Sequence, residues 1–167
     1  MQVFPFIPNP IAPFRFQPTL DGNLCTGTVE WNLAGQRWYL HMRDVLGNDL
    51  FYVPMISSPD GIPTINLTWD GARQLVVITA NHKQRIGQLV VLTLTNVVPT
   101  AYNGIWLMYA ETSETLTYPQ TVSPGGDATT QGLLSHNINL AGGYTTDTTV
   151  VYRGSSGNIE IDTGITP

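Results

Sequence analysis

From Cys25 onward the chain alternates apolar and polar side chains with a period of two, the signature of half-buried strands. In Cys25–Asn32, Cys25, Val29 and Trp31 share one face, and Thr26, Thr28 and Glu30 take the other. A short turn at Leu33-Ala34-Gly35 leads into Gln36–Arg43, where Trp38, Leu40 and Met42 oppose Arg37, Tyr39, His41 and Arg43. This pattern predicts a hairpin with one buried face. A second turn, Gly47-Asn48, precedes a strand over Leu50–Pro54.

The middle of the chain repeats the style. Thr64–Trp69 alternates, with Ile65, Leu67 and Trp69 on one side. Gln74–Ala80 and Gln88–Thr95 are nearly continuous apolar runs, which predict strands covered on both faces. Ile105–Ala110 and Thr115–Tyr118 flank the acidic turn Glu111–Glu114, and a Ser123–Asp127 loop opens a polar stretch reaching Gly132. The last expected strands are Asn137–Leu140, Thr148–Arg153 and Asn158–Ile161.

The 12 Pro and 16 Gly leave few windows of helical length. Many short strands with regular turn signals imply an all-β protein of the barrel or sandwich kind. The N-terminal segment differs. Phe4-Pro5-Phe6-Ile7-Pro8 is extended because proline fixes φ and biases the residue before it. An extended aromatic arm over residues 1–13 is expected to anchor on a neighbouring subunit or domain, with Phe4, Phe6 and Phe14 as contacts.

Composition narrows the function. Charged residues are 11% of the chain and hydrophobic residues 42%, so the chain folds and presents a surface of Thr, Asn, Gln, Ser and Gly. Such a surface suits packing against other subunits. The net charge of −5 and seven scattered Lys and Arg residues disfavour nucleic-acid binding, and the Lys83/Arg85 pair reads as a solvated turn. The single Cys25 allows no internal disulfide or thiolate metal cluster and is expected half-buried in a strand. The proline-broken N-terminus does not read as a secretion signal, and no apolar run reaches transmembrane length. A soluble protein made in a cytoplasm is expected.

Catalytic chemistry finds no foothold. His41, His82 and His136 lack metal-ligand spacing, with His41 on a polar strand face, His82 in the turn Asn81-His82-Lys83, and His136 at a loop end. The acidic pairs Asp44/Asp49 and Glu111/Glu114 fall in exposed turns where both carboxylates stay ionised. Gly125-Gly126 and Gly142-Gly143 have no following helix and make turns rather than anion cradles. The chain is therefore expected not to be an enzyme and to need no cofactor or metal.

The aromatics offer a rival reading. The four Trp and seven Tyr residues could form a sugar-binding platform. Trp31, Trp38 and Trp69 alternate with apolar neighbours and are expected in the core, whereas Tyr39 and Tyr52 are free to be surface contacts.

Two stretches resemble phage tail families. Phe14-Arg15-Phe16 to Leu20-Asp21-Gly22, Val29-Glu30-Trp31-Asn32 and Gly35-Gln36-Arg37-Trp38-Tyr39 resemble the opening of baseplate plug proteins of the cyanophage type. Pro54-Met55-Ile56-Ser57-Ser58-Pro59 continues the likeness, and its ending follows at Ile138–Tyr144, Val150-Val151-Tyr152-Arg153 and Ile159-Glu160-Ile161. Arg43-Asp44-Val45-Leu46-Gly47 fits the family turn only loosely. Between these parts, Val77–His82, Ala101–Trp106 with its Tyr102-Asn103-Gly104 turn, and Pro124–Gly132 resemble a small β module of phage tail proteins.

The resemblance implies a plug-like β domain over 1–59 and 137–167, with an inserted small β-sandwich-like domain over 60–136. It also implies a structural role in a contractile tail baseplate, near the hub and spike, closing the tail lumen. Partners would be other baseplate proteins (hub, spike, tail tube or wedge subunits), with several copies per virion and no nucleic acid or membrane. The alternative is a host-recognition or carbohydrate-binding module on the same particle, using Tyr39 or Tyr52.

Overall fold

The computed structural model describes residues 1–163. The protein is all-β, with three antiparallel sheets and, among the described residues, no α-helix. It divides into two compact units, Met1–Pro59 with the described residues from Ile138 onward, and Asp60–Asn137.

The first unit opens with β1 (Gln2–Pro5), β2 (Phe14–Phe16), β3 (Thr19–Leu20), β4 (Asn23–Asn32), β5 (Arg37–Asp44) and β6 (Asp49–Pro54). The β4–β5 hairpin runs in register from Cys25 opposite Asp44 to Asn32 opposite Arg37. β2 and β6 flank it, and β3 pairs with the start of β4. Gly27 has no side chain for a packing reason. The ring of Phe16, its cross-strand partner, fills the space, and a Cβ at Gly27 would lie 2.5 Å from it.

The second unit holds β7 (Ile62–Pro63), β8 (Asn66–Asp70), β9 (Leu75–Thr79), β10 (Leu89–Thr95), β11 (Gly104–Ala110), β12 (Thr115–Pro119) and β13 (Leu133–Ser135). They form one sheet in the order β7-β13-β10-β11-β12-β9-β8. Leu67, Val76, Ile78, Leu92, Leu94, Met108, Leu116, Tyr118 and Leu134 build a core from one face of this sheet. Pro63 sits on the edge strand β7, where a missing N–H breaks no ladder.

β14 (Thr148–Arg153) and β15 (Asn158–Thr163) return to the first unit and join β1 as a three-stranded sheet, β1-β15-β14. The core of this unit draws on both of its sheets, with Val29, Leu40, Met42 and Phe51 from one and Val150, Ile159 and Ile161 from the other. Cys25 belongs to it, 2% exposed rather than half-buried.

The N-terminal segment is not a free arm. Gln2 to Pro5 pair with Ile161 to Asn158, the N–H of Phe6 donates to the carbonyl of Gly157, and Phe6 is 3% exposed. Phe4 and Phe14 are half-buried against the same core, with Phe4 4.7 Å from Phe16 and Phe14 5.6 Å from it between ring centroids. An aromatic arm next to an unfilled sheet edge lowers its free energy most by completing its own sandwich.

Other expectations shift in detail. The segment Asn137–Leu140 is not a strand. Instead, the Asn139 carboxamide oxygen accepts the N–H groups of Ala141 and Val150 and organises a turn. β8 starts at Asn66, which leaves Ile65 outside it and exposed. Trp31, Trp38, Trp69 and Trp106 are all half-buried; Trp38, Trp69 and Trp106 pack at the margins of the cores, and Trp31 packs edge to face on Trp38. Trp69 and Trp106 each donate an indole N–H to a carbonyl, those of Gln120 and Tyr102, and burying the ring edge would strand that donor.

In the Tyr102-Asn103-Gly104 segment the asparagine acts through its side chain rather than through a positive φ. Asn103 is extended at φ −70° and ψ 140°, and its carboxamide accepts from the N–H of Val97 and donates to the carbonyl of Val97. The Tyr102 hydroxyl donates to the Gly126 carbonyl at 2.7 Å, and burial raises its pKa.

Candidate functional site

Each unit carries one face that its own fold leaves open. In the first, the outer face of β2-β4-β5-β6 is a ladder of polar side chains. Arg15 stands opposite Thr28, Thr28 opposite His41, and His41 opposite Tyr52. One rung away, Thr26 stands opposite Arg43 and Arg43 opposite Asp49; on the other side, Glu30 stands opposite Tyr39. Alternation sends all of these outward while Val29, Leu40, Met42 and Phe51 go in.

The ladder is concave. Arg15, Thr26, Thr28, Glu30, His41, Arg43, Asp49 and Tyr52, with Pro13, line a groove of about 680 Å³. Within this lining the Asp49 carboxylate accepts from His41 Nε2 at 2.7 Å and Arg43 Nε at 2.8 Å. These bonds, that from Arg43 first, hold its pKa below the usual 3.8. The rings of Tyr52 and Tyr39 stack at 4.8 Å and 15°, and the His41 ring meets Tyr52 edge to face at 5.3 Å. Arg15, Thr26, Thr28 and Glu30 have no hydrogen-bond or ion-pair partner for their side chains among the described residues.

In the second unit the open face is apolar. Across β10 and β11, Leu89 stands opposite Tyr109 and Val91 opposite Leu107. These four side chains are exposed by 60%, 43%, 51% and 54% respectively, on the side of the sheet away from Leu92, Leu94 and Met108. The run over residues 88–95 is therefore covered on one face only, and the expectation of two covered faces is corrected.

Of the five contact residues expected from sequence, the structure brings Tyr39 and Tyr52 together beside the groove. Phe6 is withdrawn into the core, and Phe4 and Phe14 support it. His82, expected in the turn Asn81-His82-Lys83, is buried. It is 0% exposed, accepts the N–H of Gln84 at Nδ1 and reaches the carbonyl of Thr112 from Nε2, so it ties two turns together. Asp44 accepts from Asn48 and from the N–H of Leu46 within its own turn, and Glu111 pairs with Arg73 at 2.8 Å. Among the described residues no group of three or more His, Cys, Asp or Glu side chains is placed to hold a metal ion, and no helix is long and apolar enough to cross a membrane.

Arg15, Thr26, Thr28 and Glu30 were missed as site residues, although the alternation of Thr26, Thr28 and Glu30 was legible; β2, which carries Arg15, is only three residues long. What made them a site is the concavity, which the period of two does not report. Set against protein-family models, curated proteins and solved structures, the chain matches none of them. The class that the fold defines is an all-β protein of two compact units, each with one open face.

Proposed function

We propose that this chain is a non-catalytic structural component of a contractile phage tail baseplate, a plug beside the hub and spike that helps close the tail lumen. It is made in the bacterial host and carried in the virion. The observation that carries the docking part of this reading is the uncovered square of Leu89, Val91, Leu107 and Tyr109 at the middle of a complete sheet. Backbone pairing is already satisfied there, so these side chains contribute no core of their own and stay wet until something covers them. An apolar, uncharged patch on a sheet face fits the equally apolar face of a neighbouring subunit. The low charge of 11% reduces repulsion between crowded copies, and the sequence likeness supplies the tail setting.

The test places Val91→Lys with Leu107→Glu, opposite charges on a cross-strand pair, in the phage that encodes the chain. The variant protein keeps its circular dichroism spectrum, because both positions are solvent-facing, yet it is missing from purified tails. Tails that carry the folded variant at the normal level would remove the docking reading. Cryo-electron microscopy of the intact particle tests the plug position separately, since density for the chain away from the tail axis would rule it out.

A further inference from the structure

We infer that the groove on the first unit is a binding site for a short, neutral oligosaccharide. The inference goes beyond the structural role and stands on different residues. At about 680 Å³ the groove lies within the range of roughly 300–1,000 Å³ usual for small-molecule sites. Its chemistry selects among ligands.

Charge comes first. Arg15 and Arg43 are balanced by Glu30 and Asp49, so the lining carries no net formal charge. A phosphate or other compact anion would meet the Glu30 carboxylate as well as the arginines. A nucleic-acid backbone needs an excess of positive charge that this groove lacks. A cation would meet two guanidinium groups.

Hydrogen bonding comes next. The Arg15 guanidinium offers only donors, the ionised Glu30 carboxylate only acceptors, and the Thr28 hydroxyl both. None of the three side chains has a partner among the described residues. An apolar ligand would strip their water and return nothing. A polyol answers all of them, because adjacent sugar hydroxyls donate and accept in pairs at the spacing of a guanidinium or a carboxylate.

The aromatic wall completes the set. Tyr52 is 44% exposed and is held upright by the stacked ring of Tyr39, which gives a sugar's C–H face an apolar surface with little side-chain motion left to lose. The Arg43–Asp49–His41 cluster ties three lining side chains to one another without consuming Arg15, Glu30 or Thr28.

The test titrates the whole purified chain with neutral glucose-, galactose- and N-acetylglucosamine-based oligosaccharides, and with sulfated and uronic-acid oligosaccharides as the anionic arm. Calorimetry is to show saturable binding of at least one neutral oligosaccharide. Arg15→Ala, Glu30→Gln and Tyr52→Ala are each to weaken it by about tenfold or more while the circular dichroism spectrum stays that of the folded protein. The inference is overturned if no neutral sugar saturates the protein up to millimolar concentration, if only anionic sugars bind, or if binding survives all three substitutions. It is also overturned if the three variants bind no sugar differently but drop out of tails, which would make the groove a protein contact. The apolar-face variants read the docking role, so either proposal can fail alone.

Discussion

The ring of Phe6 meets the indole of Trp38 edge to face, with centroids 5.2 Å apart and planes at 77°. This contact joins the N-terminal segment to the turn end of the β4–β5 hairpin. Phe6 also packs edge-on against Phe14 and Tyr152, so one side chain near the start of the chain touches residues from three strands.

Phe6→Ala should therefore destabilise the first unit by about 3–5 kcal/mol, the cost of a large buried aromatic. Urea unfolding followed by tryptophan emission checks it. Deleting residues 1–13 should be worse, because it also removes the β1 pairing with Ile161 to Asn158. A truncated protein of unchanged midpoint would mean that the arm is dispensable after all.

Asn103→Ala should cost the second unit about 1–3 kcal/mol. The carboxamide is the partner of both the N–H and the carbonyl of Val97, and Val97 is 1% exposed, so little water replaces it. Asn103→Asp should fall between the two proteins, since it keeps the acceptor and loses the donor. Equal stability of all three variants in chemical denaturation would contradict this account.

Gly132→Ala should destabilise the second unit by at least about 2 kcal/mol. A Cβ there would strike the carbonyl oxygen of Thr95 and a methyl group of Val97. Gly132 cannot move aside, because its N–H donates to the Thr64 hydroxyl and its carbonyl accepts from the Thr64 N–H. A melting temperature within a degree or two of the parent would show that the backbone has more slack than this.

Acid should weaken the first unit through Asp21. Its carboxylate accepts the N–H groups of Thr146 and Asp147, and these bonds, that from Thr146 first, lower its pKa below 3.8. A carboxyl that is more acidic folded than unfolded stabilises the fold above its unfolded value and loses that contribution as pH falls through the folded one. Asp21→Ala should lower the melting temperature at pH 7, and the gap should shrink as pH drops below about 4. A gap that is constant from neutral to strongly acidic pH would show that the carboxylate charge does not matter.

How much of this was legible in the sequence depends on the distance over which each feature is decided. The β4–β5 hairpin was readable because its alternation and its Leu33-Ala34-Gly35 turn are local, and Tyr39, His41 and Tyr52 came out on the polar face for the same reason. β1, β2 and β7 are two to four residues long and carry too few positions to show a period. Leu89 and Val91 were placed in a doubly covered strand because an unbroken apolar run looks the same with one face covered or two. The burial of His82 rests on the carbonyl of Thr112, thirty residues away, and no local window holds both. The groove is harder still, since a sheet's curvature sets which outward residues converge.

Ser58 has a mechanical consequence. Its N–H donates to the carbonyl of Tyr152, and its hydroxyl accepts the N–H of Ile138 at 2.9 Å, so the strands of chain leaving for Asp60–Asn137 and returning from it are stitched at one spot. A tug on the second unit loads both connecting segments side by side at that stitch. Because Tyr152 lies in β14, the stitch also ties both segments to a strand of the first unit.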